Sequence, residues 1–448
     1  MTIIAQRPEP GAARPYRFPE VARRAVGGGE VVAAHLPGHR LAVAILLLDA
    51  GAGREPAGRE GLAGVLGKAL EEGTARRDSG AYALALEGLG TELFYSADWD
   101  AFRVGVQVPA DRLGAAVELL AEAVRTPALD PADVERVRDD EATALRMYWA
   151  NPGPRADAAL RADLFGADQR HGRPMGGDPA SVAAVTVADV VDFHRAWFTR
   201  PGTLLVAGDL DLIDLDALGA TAFGGASGAS PQVEPALPVV LRDSRRIILV
   251  DRPGAVQSTL RLGHPAPHRA HPDYVPMSLA STVLGGAFTS RLNHLIREVR
   301  GYTYGIRSDF GMSRRFGRFS VSSSVQTGVT APALVDAVGE VSRTQADGVT
   351  EEELAVARSW RAGQLSVELQ TPGAIASALA TLVVHGLPDD YHATLREQLL
   401  SATVEQVSAA AATHLHAQGL TLVVEGDAAQ IRDELAASGL GELLDESA

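Results

Sequence analysis

Apolar and polar positions recur along this chain with two periods, and the elements they predict interleave. VVAAHLPGHRLAVAILLLDAG, positions 31 to 51, reads as a strand pair about a hairpin turn at Leu36-Pro37-Gly38, with His35 and His39 flanking it. GLAGVLGKALEEGT, residues 61 to 74, has the spacing of a short amphipathic helix, and Asp78 to Leu86 that of another. TELFYSADWDAFRVGVQV reads as paired strands and Leu113 to Val124 as a helix. Asp130-Pro131 supplies an N-cap with proline in the first turn, and Thr350 with Glu353 fits a capping box. Farther on, LNHLIREV predicts the end of a helix stopped by Gly301, and YTYGIRSDF a strand.

The same order of elements occurs twice. VTVADVVDFHRAWFTRPGTLLVAGDLD, from Val185, parallels ATVEQVSAAAATHLHAQGLTLVVEGDA, from Ala402. Asn151-Pro152-Gly153 stands 220 positions before Thr371-Pro372-Gly373, and Gly208 stands 218 before Gly426. A repeat this long predicts a duplicated domain, since solenoid units run about 20 to 50 residues. Strands grouped around helices of this length predict an α+β fold: two homologous α/β sandwich domains, each a mainly antiparallel sheet with helices on one face. The expected organisation is an N-terminal extension (1–20), a first domain (21–223), a linker rich in glycine, alanine and proline (224–238) and a second domain (239–448).

Length supports this division, because 448 residues exceed one core and the prior is about 100 to 200 residues per domain. Hydrophobic residues make up 46% and charged residues 22%, as in ordinary globular proteins. No apolar run approaches the roughly 18 residues of a membrane span, and the N-terminus lacks an apolar core behind a basic start, so the expected location is cytoplasmic, with no membrane partner. The chain has no cysteine, which excludes disulfides, thiolate catalysis and cysteine-ligated metal. A net charge of −15 argues against nucleic acid as a partner, because that needs a basic footprint. Among 41 basic residues, Lys68 is the only lysine.

Two segments carry chemistry. In LGGAFTSRLNHLIREVRGYTYG, residues 284 to 305, Arg297 and Tyr304 flank a predicted helix-to-strand turn, where a guanidinium fork and a phenol can aim at one point. Such donors suit a peptide carbonyl and its developing oxyanion; a surface arginine beside a strand-packed tyrosine is the plainer reading. The segment resembles the non-zinc half of the pitrilysin, insulinase and mitochondrial-processing-peptidase family, typically GGGxSSRLFxxLREKxGLxY, whose functional Arg and Tyr have the same spacing of seven. Arg291 matches the SRL element, where a helix-surface or packing role is expected. Residues 61 to 74 resemble the family's inverted zinc helix, GLAHFLEHMLFKGT, with Gly64, Gly67 and Lys68 where His, Glu and His bind metal and activate water. Metal ligation needs side chains four apart on one helical face, and glycine and a protonated lysine offer no lone pair. Aligning on Asn151-Pro152 places Ala144 at the third ligand, with Glu141 three residues displaced. No metal and no cofactor is therefore expected in this chain.

The resemblance implies half of a clamshell chamber: a catalytically incomplete subunit, inactive alone, of a heterodimeric zinc peptidase. A homologous partner with HxxEH would carry the zinc, and the substrate would be an unfolded peptide. Arg297 and Tyr304 would bind it, with Gly285 and Gly286 beside them; that glycine pair is shorter than the glycine-rich loop of the mitochondrial subunits, so presequence specificity does not carry over. The alternatives are a non-catalytic scaffold and a peptide-binding homodimer. His264, His268 and His271 lie among prolines that predict an extended loop without convergence of imidazoles, His414 and His416 fall near a helix end, and neither Gly27 to Gly29 nor Gly285-Gly286 has the context of a phosphate loop.

Overall fold

The computed structural model describes residues 16–228 and 234–446. Positions 1–15 of the expected extension, 229–233 of the expected linker, and 447–448 lie outside the described residues.

The first half runs β1 (Val21–Val26), β2 (Gly29–His35), β3 (Leu41–Leu48), α1 (Leu62–Ala69), α2 (Ser79–Leu89), β4 (Phe94–Ala97) and β5 (Phe102–Pro109). Helices α3 (Leu113–Arg125), α4 (Pro131–Trp149), α5 (Pro154–Phe165), α6 (Pro179–Ala183) and α7 (Val187–Phe193) precede β6 (Thr203–Gly208) and α8 (Leu215–Ala222). The second half repeats the scheme: β7 (Arg246–Asp251), β8 (Gln257–Ala266), α9 (Tyr274–Ser281), wide π-helical turns at Thr282–Gly286 and Asn293–Val299, β9 (Ile306–Met312) and β10 (Gly317–Gln326). It continues with α10 (Thr330–Asp347), α11 (Glu351–Glu368), α12 (Pro372–His385), α13 (Tyr391–Ser401), α14 (Val404–His414), β11 (Thr421–Gly426), α15 (Ala428–Ala437) and β12 (Glu442–Asp445).

Each half builds a six-stranded, mainly antiparallel sheet, in the orders β1-β2-β6-β3-β5-β4 and β12-β7-β11-β8-β10-β9. Five positions correspond, but the sixth does not: β1 joins antiparallel from before β2, whereas β12 joins parallel from the end of the chain. The expected hairpin about Leu36-Pro37-Gly38 does not form. β6 inserts between β2 and β3, parallel to the first and antiparallel to the second, so the turn joins strands that are not neighbours. The caps form as their chemistry predicts: Asp130 accepts from Ala132 N–H, and Thr350 and Glu353 cap α11 reciprocally.

Helices of the same half cover one face of each sheet, and the other face receives one helix from the opposite half. In β3 the side chains of Ala42, Ala44, Leu46 and Leu48 join the core under α1 and α3, while Val43, Ile45 and Leu47 join that of α12. Ile375, Ala376, Leu379 and Leu382 of α12 are fully buried there, and burial stabilises by about 1.5–3 kcal/mol per large aliphatic side chain. Reciprocally, Ala156 and Leu160 of α5 pack on Ile248, Val250 and Val423 of the second sheet. Polar bonds fix this crossing: Asp157 takes two hydrogen bonds from Arg261, and the buried Glu425 accepts from Gly153 N–H at the start of α5. Among the described residues, no single helix is long and apolar enough to cross a membrane.

Candidate functional site

Helix α1 is held at its start by Glu55, whose buried carboxylate accepts from Gly61 N–H (3.1 Å) and Ala63 N–H (2.8 Å) and meets Arg170 at 2.6 Å. Gly61 is left-handed (φ +96), and a Cβ there would stand 2.5 Å from Val182 Cγ2, so only glycine fits. Leu62, Val65, Leu66 and Ala69 enter the core, which leaves Gly64 and Lys68 on the less buried side that meets α4.

The residues there do not fit a zinc ion. Nothing lies within 4 Å of a Cβ built on Gly64, so that place is open and without a donor. At Gly67 a Cβ would meet the Tyr95 ring at 2.5 Å and Phe102 Cζ at 2.9 Å, so aromatic rings fill the path of a larger side chain. Lys68 Nζ lies 2.6 Å from Glu141 Oε1. That hydrogen bond raises the lysine above its ordinary value and keeps it an ammonium, which has no lone pair for a metal. Ala144 is exposed on α4, and the carboxylate reaching α1 is that of Glu141, nearly one turn earlier.

The second segment lies in the other half, on the second sheet. Arg297 belongs to the π-helical turn Asn293–Val299, and Gly301, at φ +66, ends it. The strand begins only at Ile306, four residues later than the sequence predicts, because Thr303 breaks the pairing: its Oγ1 accepts from Gly305 N–H and lies 2.8 Å from Ser324 O. In this loop Tyr302 packs against the core, while Tyr304 is 97% exposed. A core-packing role therefore falls to Tyr302 and not to Tyr304. The Arg297 guanidinium stacks over Phe288, with Cζ 4.0 Å from the ring centre, and its buried Nη1 has no hydrogen-bond partner among the described residues. Phe288, itself 67% exposed, is the member of this group that sequence reasoning missed. An aromatic inside GGAFTS was its only signal.

Gly285 is buried, and a Cβ on it would come 2.7 Å from Ser308 N. It serves the close approach of the helix to β9, and Gly286 borders a small cavity. Arg291 holds Glu353 of α11, in line with a packing role.

The histidines separate into pairs, and His264, His268 and His271 do not converge. His264 is fully buried, with Nδ1 on Pro265 O (2.8 Å) and Nε2 accepting from His416 N–H (3.2 Å), and burial pushes it down to about 3. His271, Asp273 and His414 do bring their ligand-type atoms within 4.8 Å of one another, a grouping invisible in sequence because His414 is so distant. Those atoms are engaged: His414 Nε2 lies 2.8 Å from Asp273 Oδ2, and His271 Nδ1 accepts from Asp273 N–H, so the group ties α14 to α9.

Comparison with known proteins finds family matches over both halves. The model of insulinase (peptidase family M16) matches residues 30–176, and that of the peptidase M16 inactive domain matches 184–359. An uncharacterized zinc protease of Mycobacterium leprae is 30% identical over 402 residues, 86% of this chain and 87% of that protein. A non-peptidase homolog of Helicobacter pylori is 21% identical over 368 residues, 81% and 84% of the two chains. Among solved structures, a peptidase M16 inactive domain from Pseudomonas fluorescens superposes with a TM-score of 0.82 at 25% identity, over 91% of this chain and 98% of that one.

Proposed function

Because the chain belongs to peptidase family M16 but holds Gly64, Gly67 and Lys68 where that family binds metal, we propose that it is the catalytically incomplete half of a two-subunit peptidase. In this reading a homologous HxxEH subunit closes against it as the other half of a chamber that admits unfolded peptides. All metal chemistry belongs to that partner. This chain contributes Arg297 and Tyr304, which orient the peptide and donate hydrogen bonds to the developing oxyanion.

The observation that carries the reading is the state of those two side chains. Arg297 is positioned by its stack on Phe288 yet keeps a buried Nη1 without a partner among the described residues, and Tyr304 extends into solvent. A buried, unpaired guanidinium nitrogen costs stability, and a tyrosine this exposed contributes little to packing; both are accounted for if a substrate completes them. The non-peptidase name of the Helicobacter pylori relative supports a role without cleavage by this chain alone.

The test is peptide cleavage by the purified chain, alone and mixed with the HxxEH protein encoded nearest to it, with and without a chelator. Chelator-sensitive cleavage only in the mixture is the expected result. A complex that forms and cleaves nothing would instead favour the scaffold, and peptide binding without a partner the peptide-binding homodimer.

A further inference from the structure

A second polar cavity lies in the second half, at the position corresponding to the α1–α4–β4 cleft of the first: between α9 with its π-helical turn, α11 and the edge strand β9. Its volume is about 190 Å³. At about 30 Å³ per water molecule that is room for roughly six waters, or for a carboxylate with a short side chain. Tyr274, whose ring carries the Arg269 guanidinium at 3.4 Å, Trp360, Ser278 and two arginines, Arg307 and Arg361, line it.

The pairing of those arginines is what distinguishes the place. Acidic residues outnumber basic ones by 56 to 41 in this chain, and nearby Arg291, Arg300 and Arg358 each hold a carboxylate. Arg307 and Arg361 hold none among the described residues, and Nε of Arg361 is buried without a hydrogen-bond partner. Asp309 also borders the cavity, with its Oδ1 taken by Ser320 Oγ at 2.8 Å. Two unpaired planar forks beside a hydroxyl and aromatic walls match a carboxylate, which accepts bidentate hydrogen bonds and brings an apolar stem.

We infer that this cavity binds the C-terminal carboxylate of a peptide through Arg307 and Arg361. The inference rests on the proposed function only for the molecule that bears the carboxylate. Its test involves no turnover, so either reading can fail without the other.

A fluorescent peptide with a single free C-terminal carboxylate and no acidic side chain is titrated with the full chain, alongside its C-terminal amide, and binding is followed by anisotropy. The acid is expected to bind at least tenfold tighter than the amide. Arg307→Gln, at an exposed position on the edge strand, is expected to remove most of that difference, as is Arg361→Gln, with binding of the amide unchanged. Equal affinities of acid and amide for the wild-type chain overturn the inference, and so does an Arg307→Gln chain that still prefers the acid. Inorganic phosphate as competitor separates the sources: displacement of the peptide at phosphate concentrations below the peptide's own Kd marks a free-anion site and overturns the peptide assignment.

Discussion

Arg291 grips Glu353 through two parallel hydrogen bonds, Nε to Oε1 at 2.6 Å and Nη2 to Oε2 at 2.7 Å, and so ties the segment that leads to Arg297 onto the first turn of α11. The Arg291 hydrogen bonds hold the Glu353 carboxyl down to about 2. A depressed carboxyl stabilises the fold above its unfolded value, about 4.3, and that contribution is lost as pH falls toward 2. Glu353→Gln is expected to cost about 1–3 kcal/mol at neutral pH and to flatten this part of the acid limb. Urea unfolding at pH 7, 4.5 and 3 checks it; an acid limb unchanged from wild type would contradict the assignment.

His264, neutral and buried, predicts a second acid response. Its folded value of about 3 lies below the unfolded value of about 6.5, so its contribution is complete above pH 6.5 and declines as pH falls from there. The slope from one such group approaches about 1.4 kcal/mol per pH unit. Its two hydrogen bonds assign the proton to Nδ1, so NMR of the imidazole should show an unchanging Nδ1–H tautomer from pH 8 to 5. Titration of that resonance near pH 6.5 would refute the burial argument.

Restoring the metal motif should fail for a steric reason. Gly64→His enters open space and is expected to change stability little, whereas Gly67→Glu meets Tyr95 and Phe102 and should cost about 1–3 kcal/mol, as overpacking does. The combined Gly64→His, Gly67→Glu, Lys68→His chain is expected to purify without stoichiometric zinc. One equivalent of zinc by elemental analysis, with an unchanged Tm, would show that the rings yield.

Lys68 is the only lysine, so an amine-reactive reagent reports on it and the α-amino group alone. Its bond to Glu141 raises its pKa, and the reagent attacks only the neutral amine. Glu141→Gln should therefore speed labelling of Lys68 several-fold at pH 8.5, as read by mass spectrometry. Equal rates would mean that the pair is not populated in solution.

Tyr304→Phe removes one donor and, because that side chain is 97% exposed, is expected to leave the fold of this chain intact. Loss of one oxyanion donor is worth about 10²–10³ in turnover. The assay is peptide cleavage by the reconstituted pair, and unchanged turnover would exclude the proposed role.

Much of this architecture was legible because its signals are local. Asp130, Thr350 and Gly301 announce helix ends by their own chemistry, and the repeat announces duplication. The loss of metal ligands could be read at Gly64, Gly67 and Lys68 because a donor atom is either there or not. What sequence could not supply was partnership at a distance. Nothing near Leu36-Pro37-Gly38 indicates that β6, some 165 residues later, parts its two strands, and nothing near Lys68 indicates that Glu141 reaches it. That Gly285 must be glycine to let Ser308 approach is likewise visible only in three dimensions.

The exchange of α5 and α12 also sets a timetable for synthesis. The first sheet is made early, but the face carrying Val43, Ile45 and Leu47 stays bare until residues 372–385 have left the ribosome. A nascent chain halted after β6 thus displays a greasy surface that its own sequence cannot yet cover. The N-terminal half expressed by itself would carry that surface permanently, whereas the two halves, made as separate polypeptides in one cell, each carry the helix the other lacks.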